Sequence, residues 1–312
     1  MDDVKQNVQK VPKRKGLSNK GQENFWGYVF IMPNLIGFTV FTLFGIVFSL
    51  IMAFTNWNLM KGLDKVQFVG LDNFRSMIGD AYLSASLRNN LILLIVVPIT
   101  LFLAAILAVV MNRNVYWKSG ARALYFLPYI TNTVAVSTVW QALLHQTKGP
   151  INSLIARIFN LPMKQTPGWL SSSKWVLPAL IIILIWQALG YDILMYSGAL
   201  QSINPEFYEA ADIDGATGIT KFFRITLPLL SPTTFMLTIL GIISSLQMWS
   251  FVQVIMPQQM GTSTMTLALY IYKSAFKDYR TGYAAALSWL LCLIVLAFTL
   301  VRWRTQKDYT SE

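Results

Sequence analysis

The stretch YEAADIDGATGITKFFRITLPLLSP, Tyr208 to Pro232, decides how this chain is read. With the preceding Glu206 it gathers four acids (Glu206, Glu209, Asp212 and Asp214) between two long apolar runs. Asn204 is placed to cap a helix whose first position is Pro205, which sets Glu206 and Glu209 where the helix dipole favours acids. Gly215 is expected to stop that helix in a left-handed turn. A second short helix is expected from about Thr220, closed by Leu227 and Pro228, with Pro228 opening the next apolar span. The segment therefore predicts a polar helix–turn–helix unit lying on a membrane surface.

The surroundings require a membrane. Hydrophobic residues make up 54% of the 312 positions and charged residues 12%, well under the roughly 25% charged content of soluble domains. Charge-free runs cover Asn24 to Met60, Asn89 to Asn112, Ala123 to Thr147, Trp175 to Tyr191, Ile225 to Tyr272 and Thr281 to Val301. Spans need about 20 apolar residues each, so these runs predict an all-α membrane protein with six transmembrane helices. The fourth run continues past Asp192. The fifth is too long for one helix and must include a polar exit from about Pro257.

An even number of spans puts both termini on one side, and the lysine and arginine distribution names it. One side holds the N-terminal tail (Lys5, Lys10, Lys13, Arg14, Lys15, Lys20), Arg113, Lys118, Arg122, Lys221, Arg224, Arg302, Arg304 and Lys307. The longer opposite loops hold Lys61, Lys65, Arg75, Lys148, Arg157, Lys164, Lys273, Lys277 and Arg280. Both termini are thus expected in the cytoplasm. The division is a basic tail over 1–24, a membrane domain over 25–304 with the polar loop at 199–228, and a second tail over 305–312. The net charge of +11 is spread between spans rather than along one stripe, which argues for membrane orientation and against nucleic acid. Tryptophans near span ends, such as Trp26, Trp57, Trp117, Trp169 and Trp175, suit an interfacial belt.

Catalytic and metal chemistry find little support. The single cysteine, Cys292, permits no intrachain disulfide, and the only histidine, His145, has no partner set. GATGITK (Gly215 to Lys221) lacks the Gly-Lys-Ser/Thr ending of a phosphate-binding loop. Asp192 is the one acid near a span interior. It stands either near a helix end or beside a cavity, where it would suit ion coupling by a transporter working alone.

The spacing Glu209-Ala210-Ala211, Gly215, Ile225, Leu227-Pro228 resembles the complete EAA signature of permease subunits in bacterial ATP-binding-cassette importers. FVGLDNF (Phe68 to Phe74), LPYI (Leu127 to Ile130) and TLALYIY (Thr266 to Tyr272) resemble the carbohydrate branch related to maltose permeases. The likeness runs from about Tyr28 to Arg304. It implies a type I importer fold in the bacterial inner membrane, with a second homologous permease, two cytoplasmic ATPases and an extracytoplasmic sugar-binding protein as partners. ATP and Mg would sit on the ATPase, with no cofactor, metal or catalytic residue on this chain.

The same likeness makes Glu209, Ala210, Ala211, Asp212, Gly215, Ile225, Leu227 and Pro228 the coupling segment. Small Ala210 and Ala211 would admit a close neighbour, and Glu209 would pair with a partner arginine. It also places Tyr129, Thr133, Leu189, Gly190, Gln247 and Ser250 at a sugar cavity. Tyr129 and Thr133 are four apart, and Gln247 and Ser250 three apart, so each pair is expected on one helix face. Hydrogen bonding between helices accounts for those polar residues equally well. One departure stands out: Pro257-Gln258-Gln259-Met260 occupies the place where the family often has Gly-Gly-Pro.

Overall fold

Asp80 and Asn132 show how the chain starts its helices. Asp80 Oδ1 accepts from the amides of Tyr82 (2.8 Å) and Leu83 (3.1 Å), and Asn132 Oδ1 from that of Val134 (2.8 Å), so each cap satisfies donors that the first turn leaves free. The computed structural model describes residues 19–62, 64–112, 118–256 and 261–307. The expectations for Lys5 to Lys15, Arg113, Trp117, Pro257 to Met260 and the extreme C-terminus lie outside the described residues, as do those for the side chains of Lys20, Lys118, Arg122 and Lys307.

Among the described residues the regular elements are helices, joined by turns and loops, with one isolated antiparallel bridge, Thr55 to Phe68. In order come α1 (Glu23–Ala53) and α2 (Ala81–Asn112), then α3 (Lys118–Ile130) and α4 (Thr133–Leu143). After α5 (Pro150–Phe159) comes α6 (Val176–Gln201). The polar loop contributes α7 (Glu206–Ile213) and α8 (Gly218–Leu229). Last come α9 (Ser231–Leu246), α10 (Ser250–Ile255), α11 (Leu267–Phe276) and α12 (Thr281–Arg304). The chain divides into two units, residues 1–51 and 52–312.

Among the described residues, four helices, α1, α2, α6 and α12, are each long and apolar enough to cross a membrane, and α8 with α9 adds a fifth as a pair bent by 68°. The third charge-free run is not one rod. It breaks after Ile130, two residues beyond Pro128, which lies within α3, and Asn132 caps α4. The fifth run also departs from expectation: its helix stops at Leu246, well before Pro257, and resumes as α10. Pro228 does not open this span. It sits inside α8, and the chain turns instead before Ser231, with Pro232 in the first turn of α9.

Within residues 52–312 the bundle is held by close helix contact. Ala104, Ala105 and Ala108 of α2 are fully buried in one cluster with Ile193 and Tyr196 of α6, because small side chains let backbones approach. Buried amides do the rest. Asn89 Nδ2 donates to the carbonyls of Thr262 (2.8 Å) and Met265 (2.9 Å), and Asn73 Nδ2 to those of Ala53 (2.8 Å) and Thr55 (2.9 Å). Asn73 belongs to the FVGLDNF motif, whose purpose here is to close off the backbone beyond α1.

Candidate functional site

The polar loop is a braced unit. Asn204 Oδ1 accepts from the Glu206 amide at 3.1 Å, and its Nδ2 donates to Glu206 Oε2 at 3.0 Å, so Asn204 braces the start of α7 as expected, although the helix begins at Glu206 and not at Pro205. Gly215 has φ of +71°, the left-handed value that favours glycine, and the amide of Ala216 returns to the carbonyl of Ala211 at 2.9 Å. The chain then reverses into α8, whose N-terminus Thr217 caps through the amide of Thr220 (3.3 Å). This second helix begins at Gly218, earlier than expected, and runs past Leu227 without a break.

Two side-chain ties join α7 to α8. Lys221 Nζ donates to Asp212 Oδ1 in a salt bridge. Tyr208 Oη lies 3.1 Å from Oγ1 of the buried Thr226. Asp212 is therefore committed within the loop, and Ala211 is buried against its own chain. Glu209 and Ala210 remain exposed, as does Pro228, while Ile225 and Leu227 are half-buried. Beneath the ties lies a cavity of about 210 Å³, lined in part by Asn112, Leu200, Tyr208, Lys221 and Thr226.

Sequence reasoning missed the loop's apolar tip. Ile213 is 88% exposed and Ile219 74%, with Phe207 and Phe223 also exposed. Exposed apolar side chains on an otherwise polar loop suit a contact with another molecule. The signal was present as apolar residues standing alone among charges, which the acids overshadowed.

The residues assigned to a sugar cavity fall in two loci. At the first, Tyr129 at the end of α3 stacks on Tyr191 of α6, with ring centroids 4.7 Å apart and planes at 18°. Gly190 lies directly under the α3 backbone there, and Leu189 packs into the core around α2 and α6. Thr133 does not share a face with Tyr129, because the break at Thr131 and Asn132 separates them and Thr133 begins α4.

The second locus is the α9–α10 break. Gln247 ends α9 and Ser250 starts α10, so they do not share a face either. Asn90 Nδ2 donates to the Leu246 carbonyl (3.1 Å) and Thr266 Oγ1 to that of Met248 (2.7 Å), which satisfies carbonyls the break releases. Trp249 lies inside the break and stacks on Tyr272, centroids 4.9 Å apart. That second aromatic platform was not anticipated, since nothing in the local pattern announces a helix break there.

Asp192 is partly buried in mid-helix, away from either end of α6. His145 is a local brace, its Nδ1 accepting from the amides of Thr147 (3.3 Å) and Lys148 (3.2 Å). Cys292 is exposed on α12. Among the described residues no group of three or more His, Cys, Asp or Glu could hold a metal.

Comparison with known proteins is consistent across sequence and fold. Residues 97–307 match the model of the binding-protein-dependent transport system inner membrane component. A probable ABC transporter permease protein of Pyrococcus horikoshii is 33% identical over 87% of this chain and 92% of its own length. The lactose transport system permease protein of Rhizobium radiobacter is 31% identical over 90% of this chain and 94% of its own. In fold, the chain resembles one from a bacterial alginate ABC transporter solved in complex with a periplasmic protein carrying an alginate pentasaccharide. The TM-score is 0.81 at 22% identity, covering 93% of this chain and 96% of that one.

Proposed function

This chain belongs to the family of binding-protein-dependent transport system inner membrane components, and from that premise we propose that it forms half of the pathway of a sugar or oligosaccharide importer. It is a multi-pass inner-membrane ABC transporter permease and not itself an ATPase. The braced loop with its apolar tip carries the proposal. A rigid knuckle exposing Glu209, Ala210, Ile213 and Ile219 suits insertion into the groove of a cytoplasmic ATPase, which holds ATP and Mg. Asp212 and Ala211 serve the knuckle's stiffness, and Gly215 its turn.

The topology that goes with this function has six spans. Helices α3 and α4 form a broken third span, α8 and α9 a bent fifth, and both termini are cytoplasmic. A second permease completes the pathway, two ATPases drive it, and an extracytoplasmic binding protein delivers substrate. The Tyr129–Tyr191 and Trp249–Tyr272 platforms suit sugar rings, which pack on aromatic faces and bond to amides and hydroxyls such as those of Gln247, Ser250 and Thr133. The lactose-system relative supports the same substrate class.

The test is copurification followed by uptake. Tagged chain should bring down an ATPase and a second permease, and proteoliposomes of the complex should accumulate labelled sugar only with ATP and the binding protein. Sugar accumulation by this chain alone would overturn the proposal.

A further inference from the structure

The segment between α4 and α6 carries Lys148, Arg157, Lys164 and Lys174 and no acid; no Asp or Glu occurs from Ala81 to Tyr191. In the proposed topology it faces outward, where positive charge is not expected to gather. Its helix α5 has a fixed roll. Asn152 is fully buried, its Nδ2 donating to the carbonyls of Gln146 and Pro167 (3.0 Å each) and its Oδ1 accepting from Trp169 Nε1 (2.8 Å). The turn away from Asn152 leaves Leu154, Ile158 and Phe159 exposed beside Arg157. An apolar stripe flanked by cations is the pattern of a helix lying in a membrane interface.

Under α5 is a cavity of about 160 Å³, lined by Trp140, Leu144, Ile151, Trp169, Ala179 and Ile182 among others. An apolar cavity of about 150 Å³ stays dry and accepts an apolar group. Ile182 is itself 52% exposed and lies in the first two turns of α6. At that depth in a bilayer the apolar group on offer is an acyl chain, whereas a soluble protein arrives from the aqueous side. Groups suited to a lipid head stand nearby: Trp175 packs edge-on to Trp169 at 5.2 Å, and Lys174 Nζ is 5.7 Å from the Trp175 ring. The Nε1–H of Trp140 is buried with no acceptor, a donor that an ester carbonyl would satisfy.

We propose that α4, α5 and the start of α6 form a binding site for an anionic phospholipid of the outer leaflet. Its acyl chain enters the cavity beneath α5, its phosphate meets Lys174, and the Leu154–Ile158–Phe159 stripe rests among neighbouring lipids. The site rests on the proposed topology but not on the cargo.

The assembled complex, in nanodiscs of phosphatidylglycerol and phosphatidylcholine, gives the test. A bimane label on Ile158→Cys in a Cys292→Ser background should lose fluorescence by at least ~2-fold when the phosphatidylglycerol chains are brominated, as an interfacial helix must. Unchanged emission overturns the proposal, and so does a response confined to added binding protein, which would make α5 a protein-docking surface. Ala179→Phe, which fills the cavity, should remove one retained phosphatidylglycerol per complex by native mass spectrometry. Equal retention overturns the cavity assignment. Lys174→Glu, at the rim, should weaken the preference for phosphatidylglycerol over phosphatidylcholine without disturbing assembly, and an unchanged preference counts against the site. Labelling of Lys164→Cys by an impermeant maleimide on intact cells reads the topology separately from lipid binding.

Discussion

Gly190 lies so close to Tyr125 that a Cβ built at position 190 would come within 1.8 Å of the Tyr125 carbonyl oxygen. The α3–α6 crossing therefore has no room for any side chain, and the Tyr129–Tyr191 stack beside it depends on that closeness. Gly190→Ala should push the two helices apart at about 1–3 kcal/mol. Uptake should fall sharply while membrane insertion persists, measured by transport in cells alongside immunoblots of the membrane fraction.

Tyr129→Ala removes one member of the aromatic platform. The complex should still assemble, and the sugar concentration for half-maximal uptake should rise by about tenfold, equivalent to 1.4 kcal/mol. Titrating uptake against sugar at saturating binding protein checks this, and an unaltered profile would clear Tyr129 of substrate contact.

Breaking the tie between α7 and α8 should loosen the knuckle without unfolding the protein, because the Asp212 partner of the salt bridge is 67% exposed and such pairs contribute only about 0.2–1 kcal/mol. Asp212→Lys or Lys221→Asp alone should lower sugar transported per ATP hydrolysed; the double exchange should restore it. Gly215→Val, forced to adopt a left-handed φ, should cost about 1–3 kcal/mol locally and lower the same ratio without rescue.

The Asp80 carboxylate predicts an acid-sensitive joint where α2, α11 and α12 meet. Tyr270 and Tyr283 each donate to its Oδ2 at 2.5 Å while its Oδ1 caps α2. Burial alone would raise its pKa, but the two tyrosines and the Leu83 and Tyr82 amides outweigh that and hold it below 3.8. A depressed carboxylate contributes its full stability above the unfolded value and loses it as pH falls through the lower folded one. The contribution should hold at neutral pH, begin to fall as pH approaches 3.8 and vanish below the folded value. Asp80→Asn should lower the melting temperature at pH 7, by the loss of charged hydrogen bonds at about 1.5–3 kcal/mol each. The difference from wild type should shrink in acid.

Much of this was legible from residue order. Five of the six apolar runs announced the four spanning helices and the bent pair, and Asn204, Pro205 and Gly215 announced the start and stop of α7, because caps and left-handed turns are local devices. What stayed hidden was non-local. The break after Leu246 is supported by Asn90 and Thr266, 156 and 18 residues from the carbonyls they satisfy, so no window around Gln247 reveals it. Periodicity put Gln247 with Ser250 and Tyr129 with Thr133 on shared faces; the interrupted helices separate both pairs. Asp212 reads as a free surface acid, yet it stays exposed while pairing with Lys221, nine residues on.

The 68° elbow between α8 and α9 makes these two helices a bell crank. In the proposed topology, a thrust delivered lengthwise to the short arm would reach the long arm chiefly as a sideways sweep, because only its small axial component survives the corner. A stiff corner would convert a cytosolic push into lateral travel, whereas a limp one would absorb it. On the proposed coupling, the residues at the corner, Leu230 and Ser231, would set the gearing.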